Sequence, residues 1–250
     1  MKFLIISDLD NTWVGNDAAT IRLQKKLQAE RDRFYLVYAT GRSFASAVNL
    51  MREFWLTTGE PLLAPDCFIT GVGSEIYHQG ILDYDWAAKI SQNWNRSAIL
   101  PITQAYPQLL PQPESELNPW KISFCLSKSV NSAILDDLKQ DLMRNHLAAN
   151  VVFSSGRDVD ILPPGVDKGT AALYIREKFQ IPLERTLMCG DSGNDLSLYQ
   201  HSTLGVIVHN AQPELLSWYQ QQANPHIYYA PSSYADGILD AIAHFGLIRD

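Results

Sequence analysis

Residues 3–12 read FLIISDLDNT, a continuous apolar run that stops on an Asp-rich turn. An unbroken run, rather than an alternating one, marks a strand covered on both faces, as in a parallel sheet flanked by helices. Similar short runs recur as FYLVYAT (34–40), CFITGVG (67–73), TLMCG (186–190) and GVIVH (205–209), each rich in β-branched or aromatic residues. Helical patterns lie between or beside them at roughly 18–32, 43–55, 168–179, 194–201 and 212–222. Strands alternating with helices predict an α/β fold, a Rossmann-like core with a mostly parallel sheet between helices. Ligands of such sheets bind beyond the carboxyl ends of the strands.

The alternation breaks between residues 79 and 157. This stretch holds Trp86, Trp94 and Trp120, a Pro-rich segment (107–120), a strand candidate KISFCL, a helix SAILDDLKQDLMRN and a further strand NVVFSS. Such a shift inside a regular pattern predicts an inserted α+β cap domain over 79–157, within a core made of 1–78 and 158–250.

Composition narrows the function classes. The chain has 250 residues, 46% of them hydrophobic, and a formal net charge of −7. That is enough apolar content for a packed core, so disorder is excluded. No apolar run approaches the ~20 residues of a membrane span. The negative field disfavours nucleic acid and anionic membranes as partners. Cys67, Cys125 and Cys189 make no disulfide set or metal spacing, and the six histidines are scattered. The start MKFLIISDLD turns acidic where a signal peptide needs a longer apolar core, so it reads as a strand of a cytoplasmic protein.

Four stretches carry groups suited to chemistry. Asp8 and Asp10 leave the first strand two residues apart, so both can face one pocket. Like charges that close persist when a divalent cation sits between them or one holds a proton. Thr40, Gly41 and Ser43 combine a hydroxyl, a glycine amide and a helix start, the makings of an anion site. Lys168 opens a helix, where a cation is disfavoured unless an anion is near. In GDSGND (190–195), Asp191, Asn194 and Asp195 supply hard oxygen ligands. The calcium-loop reading of that stretch fails, because Leu196 and Ser202 stand where Gly and Glu are required. Each stretch also has a plain structural reading: an acidic turn, a strand-to-helix junction, a surface lysine, a helix N-cap. Their joint placement at the ends of buried strands favours chemistry.

In order, DLDNT, TGR, Lys168 and GDSGND resemble the four motifs of the haloacid dehalogenase (HAD) superfamily of phosphotransferases, and the insertion resembles its C2-type cap. The resemblance implies Asp8 as nucleophile and Asp10 as general acid and base. It implies Thr40, Gly41, Lys168 and Asn194 as phosphate-binding groups, and Asp8, Asp10, Asp191 and Asp195 around Mg²⁺. The second acid, Asp10, is similar to the phosphatase and phosphomutase branch. Asn11 stands where that superfamily commonly has Gly, and Asn tolerates the same turn.

Within that branch, SDLDNTWVG, YATGRS, VGSEIY, NPWKIS, FSSGRDVDILP and CGDSGND resemble the sucrose-phosphate phosphatase family, in its short form without the C-terminal extension of plant members. This implies Mg²⁺-dependent hydrolysis of sucrose 6-phosphate through an aspartyl-phosphate, the last step of sucrose formation. The alternatives are a phosphatase or phosphomutase of another sugar phosphate, or a non-catalytic sugar-phosphate-binding domain. The expected ligand is a small sugar phosphate, the expected state a monomer, and docking to sucrose-phosphate synthase is compatible with either. Sugar hydroxyls need convergent donors and acceptors. The candidates are Arg42, Ser74 and Glu75 on the core side and Trp120, Lys121 and Asp158 on the cap side.

Overall fold

Each apolar run forms a strand of one sheet in the computed structural model, which describes residues 2–127, 131–201, 203–222 and 224–248. The elements in chain order are β1 (Phe3–Ser7), α1 (Asp17–Gln28), β2 (Phe34–Ala39), α2 (Phe44–Thr58), β3 (Cys67–Thr70), β4 (Glu75–His78) and β5 (Ile81–Leu82). Next come α3 (Tyr84–Ser91), α4 (Arg96–Thr103), β6 (Leu109–Pro111), β7 (Ile122–Leu126), α5 (Ile134–Arg144), β8 (Asn150–Ser154) and β9 (Asp158–Leu162). The chain ends with α6 (Lys168–Lys178), β10 (Thr186–Gly190), β11 (Leu204–Ile207), α7 (Pro213–Gln220), β12 (Ile227–Tyr229) and α8 (Ala235–His244).

The larger sheet has the order β12-β11-β10-β1-β2-β3-β4-β5, parallel except for the antiparallel β4 and β5. Along β1, Phe3 and Ile5 enter the core beneath α1 and α8, while Leu4 and Ile6 enter the opposite core against α6 and α7. Two apolar faces explain why the run shows no polar alternation. From β1 the chain proceeds to β2 and β3 on one side and returns through β10 on the other. The order therefore switches between β1 and β10, where a crevice opens at the strand ends.

The smaller sheet, β6-β7-β9-β8, is antiparallel throughout. Ile122 and Phe124 of β7 and Val159 and Ile161 of β9 pack with Ile99 of α4 and with Leu138 and Leu142 of α5. The alternate residues Ser123, Asp158 and Asp160 are left on the other face, across which Ser123 pairs with Asp160.

The expected cap boundaries differ at both ends. β5 belongs to the larger sheet, and Trp86 and Ile90 of α3 pack into its core. β9 belongs to the smaller sheet, so the return to the core lies at Pro163–Gly165 rather than before residue 158. The alternation in DVDIL is that of a half-covered antiparallel strand and is the physical reason for this placement. The helix expected at 194–201 is a 3₁₀ helix over Gly193–Tyr199.

The small core of the cap leaves little reserve. Leu138→Ala, at a fully buried position, is expected to lower stability by about 2–5 kcal/mol in denaturant unfolding. A loss below 1 kcal/mol would mean that Leu138 does not anchor the cap.

Candidate active site

β1 and β10 are paired with Ser7 beside Cys189, so the residues that follow them emerge together at the switch point. Asp8 is tied there by its own amide, which donates to the Cys189 carbonyl at 2.9 Å. Asp195, on the turn after β10, accepts the amides of Asp191 and Ser192 through Oδ2, both at 3.0 Å. Lys168, fully buried at the start of α6, donates from Nζ to Asp8 Oδ1 and Asp195 Oδ1, both at 2.7 Å. Thr12 donates to Asp191 Oδ1 at 3.2 Å. Asn11 between them adopts the left-handed conformation, φ 59°, that the Asp-rich turn was expected to need.

Asp8, Asp191 and Asp195 offer oxygens within 4.8 Å of one another, the one such acidic cluster among the described residues. Burial pushes Asp8 well above the usual carboxylate range, with Lys168 opposing it. Burial, then the neighbouring Asp195, pushes Asp191 up to about 7. For Lys168 burial works against the charge, but Asp195 and Asp8 outweigh it and raise its pKa. One ammonium cannot neutralise three carboxylates. Asp8 and Asp191 each retain a second oxygen outside these hydrogen bonds, and this donor set fits a hard divalent cation.

Asp10 stands apart from this cluster. Its carboxylate is gripped by Arg42, which donates from Nε at 2.7 Å and from Nη2 at 2.8 Å. Asp10, expected among the metal-site residues, lies outside that cluster, with both carboxylate oxygens taken up by this fork. Thr40 and Gly41 follow β2 at the same edge. The loop beneath them is held by Gly71 and Val72, whose amides donate to the Arg42 and Thr40 carbonyls at 2.8 and 3.1 Å. Val72, a β-branched residue at φ 59°, is strained there, and these bonds fix it.

A cavity of about 270 Å³ joins this floor to the polar face of the cap sheet. From the core it is lined by Asp8, Asp10, Gly41, Arg42, Asp191 and Asn194, and from the cap by Gln112, Glu116, Lys121, Ser154, Ser155, Asp158 and Asp160. Lys121 Nζ donates to the Gly41 carbonyl at 3.1 Å and lies 3.5 Å from Asp160 Oδ1, which accepts Ser123 Oγ at 2.6 Å. Glu116 Oε2 accepts the Ser43 amide at the start of α2. Asp158 accepts Gln112 Nε2 at 3.1 Å, and burial raises its pKa, helped by Asp160.

Of the expected sugar-binding residues, Arg42, Lys121 and Asp158 line the cavity. Ser74, Glu75 and Trp120 do not. Ser74 is fully buried, donating to the Gly71 carbonyl and accepting Asn118 Nδ2, both at 2.8 Å. Glu75 turns to Tyr77 and Thr70 and is raised in pKa by burial. Trp120 donates to Ser91 Oγ at 2.8 Å, packed against α3. Ser74 and Trp120 fasten the cap to the core, and Glu75 bonds within the core sheet. Asp160 had a legible signal, since Asp158 and Asp160 share one strand face. Gln112, Glu116 and Ser155 lie in segments without periodicity, and Ser46, which also lines the cavity, sits in the first turn of α2.

The family model of sucrose-6F-phosphate phosphohydrolase matches residues 1–246. Relatives include a probable sucrose-phosphatase 2 of Arabidopsis thaliana, 35% identical, and a sucrose-phosphatase 2 of Nicotiana tabacum, 36% identical. Each alignment covers 98% of this chain, which spans about 60% of the length of those plant relatives. A mannosylfructose-phosphate phosphatase of Agrobacterium fabrum is 30% identical over 98% of this chain and 97% of its own. Among solved structures, the sucrose-phosphatase of Synechocystis in complex with sucrose and phosphate superposes with a TM-score of 0.93, at 46% identity over 98% of this chain and 99% of that one.

The buried carboxylates set a pH signature. Asp191 titrates near 7 in the folded protein and near 3.8 when unfolded, so folding takes up a proton between these values. In chelator, this group's contribution to stability falls as pH rises from about 4 to 7. Asp191→Asn is therefore expected to gain stability relative to wild type over that interval, read as the difference in melting temperature. A difference that does not change with pH would contradict the assigned environment.

Proposed function

Because the chain belongs to the sucrose-6F-phosphate phosphohydrolase family, we propose that it hydrolyses sucrose 6-phosphate to sucrose and phosphate through an aspartyl-phosphate on Asp8, with Mg²⁺ as its cation. The observation that carries this reading is the buried Asp8–Lys168–Asp195 arrangement beneath a cavity whose roof is polar and belongs to the cap. A pure binding module has no need of an intact nucleophile paired with a second acid two residues on.

A carboxylate is a poor nucleophile toward a phosphate ester because both are anionic. Lys168 reduces that repulsion at Asp8, while Gly41 and Asn194, which line the cavity, and Thr40 beside them would receive the transferring oxygens. Asp8 and Asp191, with Asp195 beside them, would hold Mg²⁺, which would supply further neutralisation of the phosphate charge. Asp8 forms a bond to phosphorus as the ester oxygen leaves, and Asp10 gives that oxygen its proton. Water then attacks the aspartyl-phosphate, returns a proton to Asp10 and frees Asp8. Asp10 must release Arg42 to do so. Lys121, Asp158, Asp160, Gln112 and Glu116 offer the mixed donors and acceptors that a sugar requires. No helix among the described residues is long and apolar enough to cross a membrane, and Cys67, Cys125 and Cys189 are free thiols. Both support the cytoplasm as the compartment.

The Agrobacterium relative favours one second reading, a phosphatase of another fructose-containing disaccharide phosphate. Phosphate release from sucrose 6-phosphate, mannosylfructose phosphate, and the isolated fructose and glucose phosphates separates the two. Strong preference for sucrose 6-phosphate, abolished by chelation, is the expected result, and equal rates on the monosaccharide phosphates would refute it. Asp8→Asn is expected to cut turnover by at least about a thousandfold, and Asp10→Asn by about 10²–10⁴-fold. Near-normal turnover by Asp8→Asn would overturn the mechanism.

A further inference from the structure

The β8–β9 turn of the cap presses on the loop that carries Asp191 and Asp195. A side chain at Gly193 would meet the Phe153 carbonyl at 2.6 Å, so only glycine allows this approach. Asn194 Nδ2 donates to Ser154 Oγ at 3.4 Å across the same junction. Glu214, in the first turn of α7, completes it. Its Oε1 accepts the Ser155 amide of the cap at 2.9 Å and the Gly193 amide of the core at 3.3 Å. Ser155 and Gly156 hold φ at 55° and 62°, an arrangement that turns the Ser155 amide out of the hairpin toward Glu214. Ser155 and Asp158, on this hairpin, line the cavity, whereas Glu214 does not.

We propose that Glu214 is a positioning residue, a clasp that fixes the Ser154–Asp158 hairpin of the cap over the phosphate site and thereby sets affinity for the sugar part of the substrate. One carboxylate oxygen joins an amide of the cap to an amide of the loop that carries Asp191, so it ties the two together while touching none of the reacting atoms. The role rests on the sucrose 6-phosphate reading for its substrate, but the clasp itself is a property of the unliganded fold.

The test compares wild type, Glu214→Ala and Glu214→Gln on sucrose 6-phosphate and on p-nitrophenyl phosphate, an ester without a sugar. Loss of charge-assisted bonds at Glu214→Ala is expected to raise KM for sucrose 6-phosphate about tenfold, with kcat changed less than about threefold. kcat/KM for p-nitrophenyl phosphate should stay within about threefold of wild type, and Glu214→Gln, which keeps an acceptor oxygen, should restore most of the KM. An unchanged KM, or an equal fall on both esters, overturns the clasp, the latter assigning Glu214 to support of the catalytic loop. Hydrogen exchange of the segment 150–158 in the unliganded protein tests it apart from substrate. Faster exchange in Glu214→Ala is expected, and unchanged exchange refutes the clasp even in a chain that leaves sucrose 6-phosphate intact.

Discussion

The pair of 2.7 Å bonds from Lys168 to Asp8 and Asp195 is the constraint on which the rest depends. Buried charges are costly unless paired, and three carboxylates here share one ammonium. The sheet order makes this meeting possible, because the switch between β1 and β10 brings Asp8 and Asp191 out side by side. α6 then delivers Lys168 from the other direction. Its position at the start of a helix is unfavourable in the helix field, and the two carboxylates supply the compensation. Asp195 spends its second oxygen on the amides of Asp191 and Ser192, so the loop that carries Asp191 is braced by the lysine's own partner.

The cap shapes the cavity roof through a simple pattern. Strands β7 and β9 alternate apolar and polar residues, and the apolar set is consumed by α4 and α5. The polar set has nowhere to go but the crevice. That is why the cavity roof is hydrophilic and why a small anion alone would leave most of it unused. Pins at Ser74–Asn118 and at Lys121–Gly41 hold this roof against the loops after β3 and β2.

The core strands and the reactive groups were legible because they come from runs and motifs that are local in sequence. Asp8, Lys168 and Asp191 lie at strand or helix ends, where the element fixes their direction. Ser74, Glu75 and Trp120 turn to Gly71, Tyr77 and Ser91 rather than into the cavity, because proximity in sequence to a functional stretch does not fix where a side chain points. The i, i+2 rule that places Asp158 in the cavity also places Asp160 there, and the alternation that shows this assigns β9 to the cap. Gln112 and Glu116 come from a Pro-rich connection with no period, so only the tertiary path brings them to the cavity.

Asp10 and the cap share a support. Residues 41–46 carry the Gly41 carbonyl that receives Lys121, the Arg42 fork that holds Asp10, the Ser43 amide that meets Glu116, and Ser46, which accepts Arg42 Nη1 at 3.0 Å. Two of these partners belong to the cap and one to the acid. A shift of the cap that withdraws Lys121 and Glu116 removes two of the bonds that locate this segment, and Arg42 moves with its backbone. The acid's carboxylate is therefore not placed by its own turn alone. Its position is tied to the cap through one short stretch of chain.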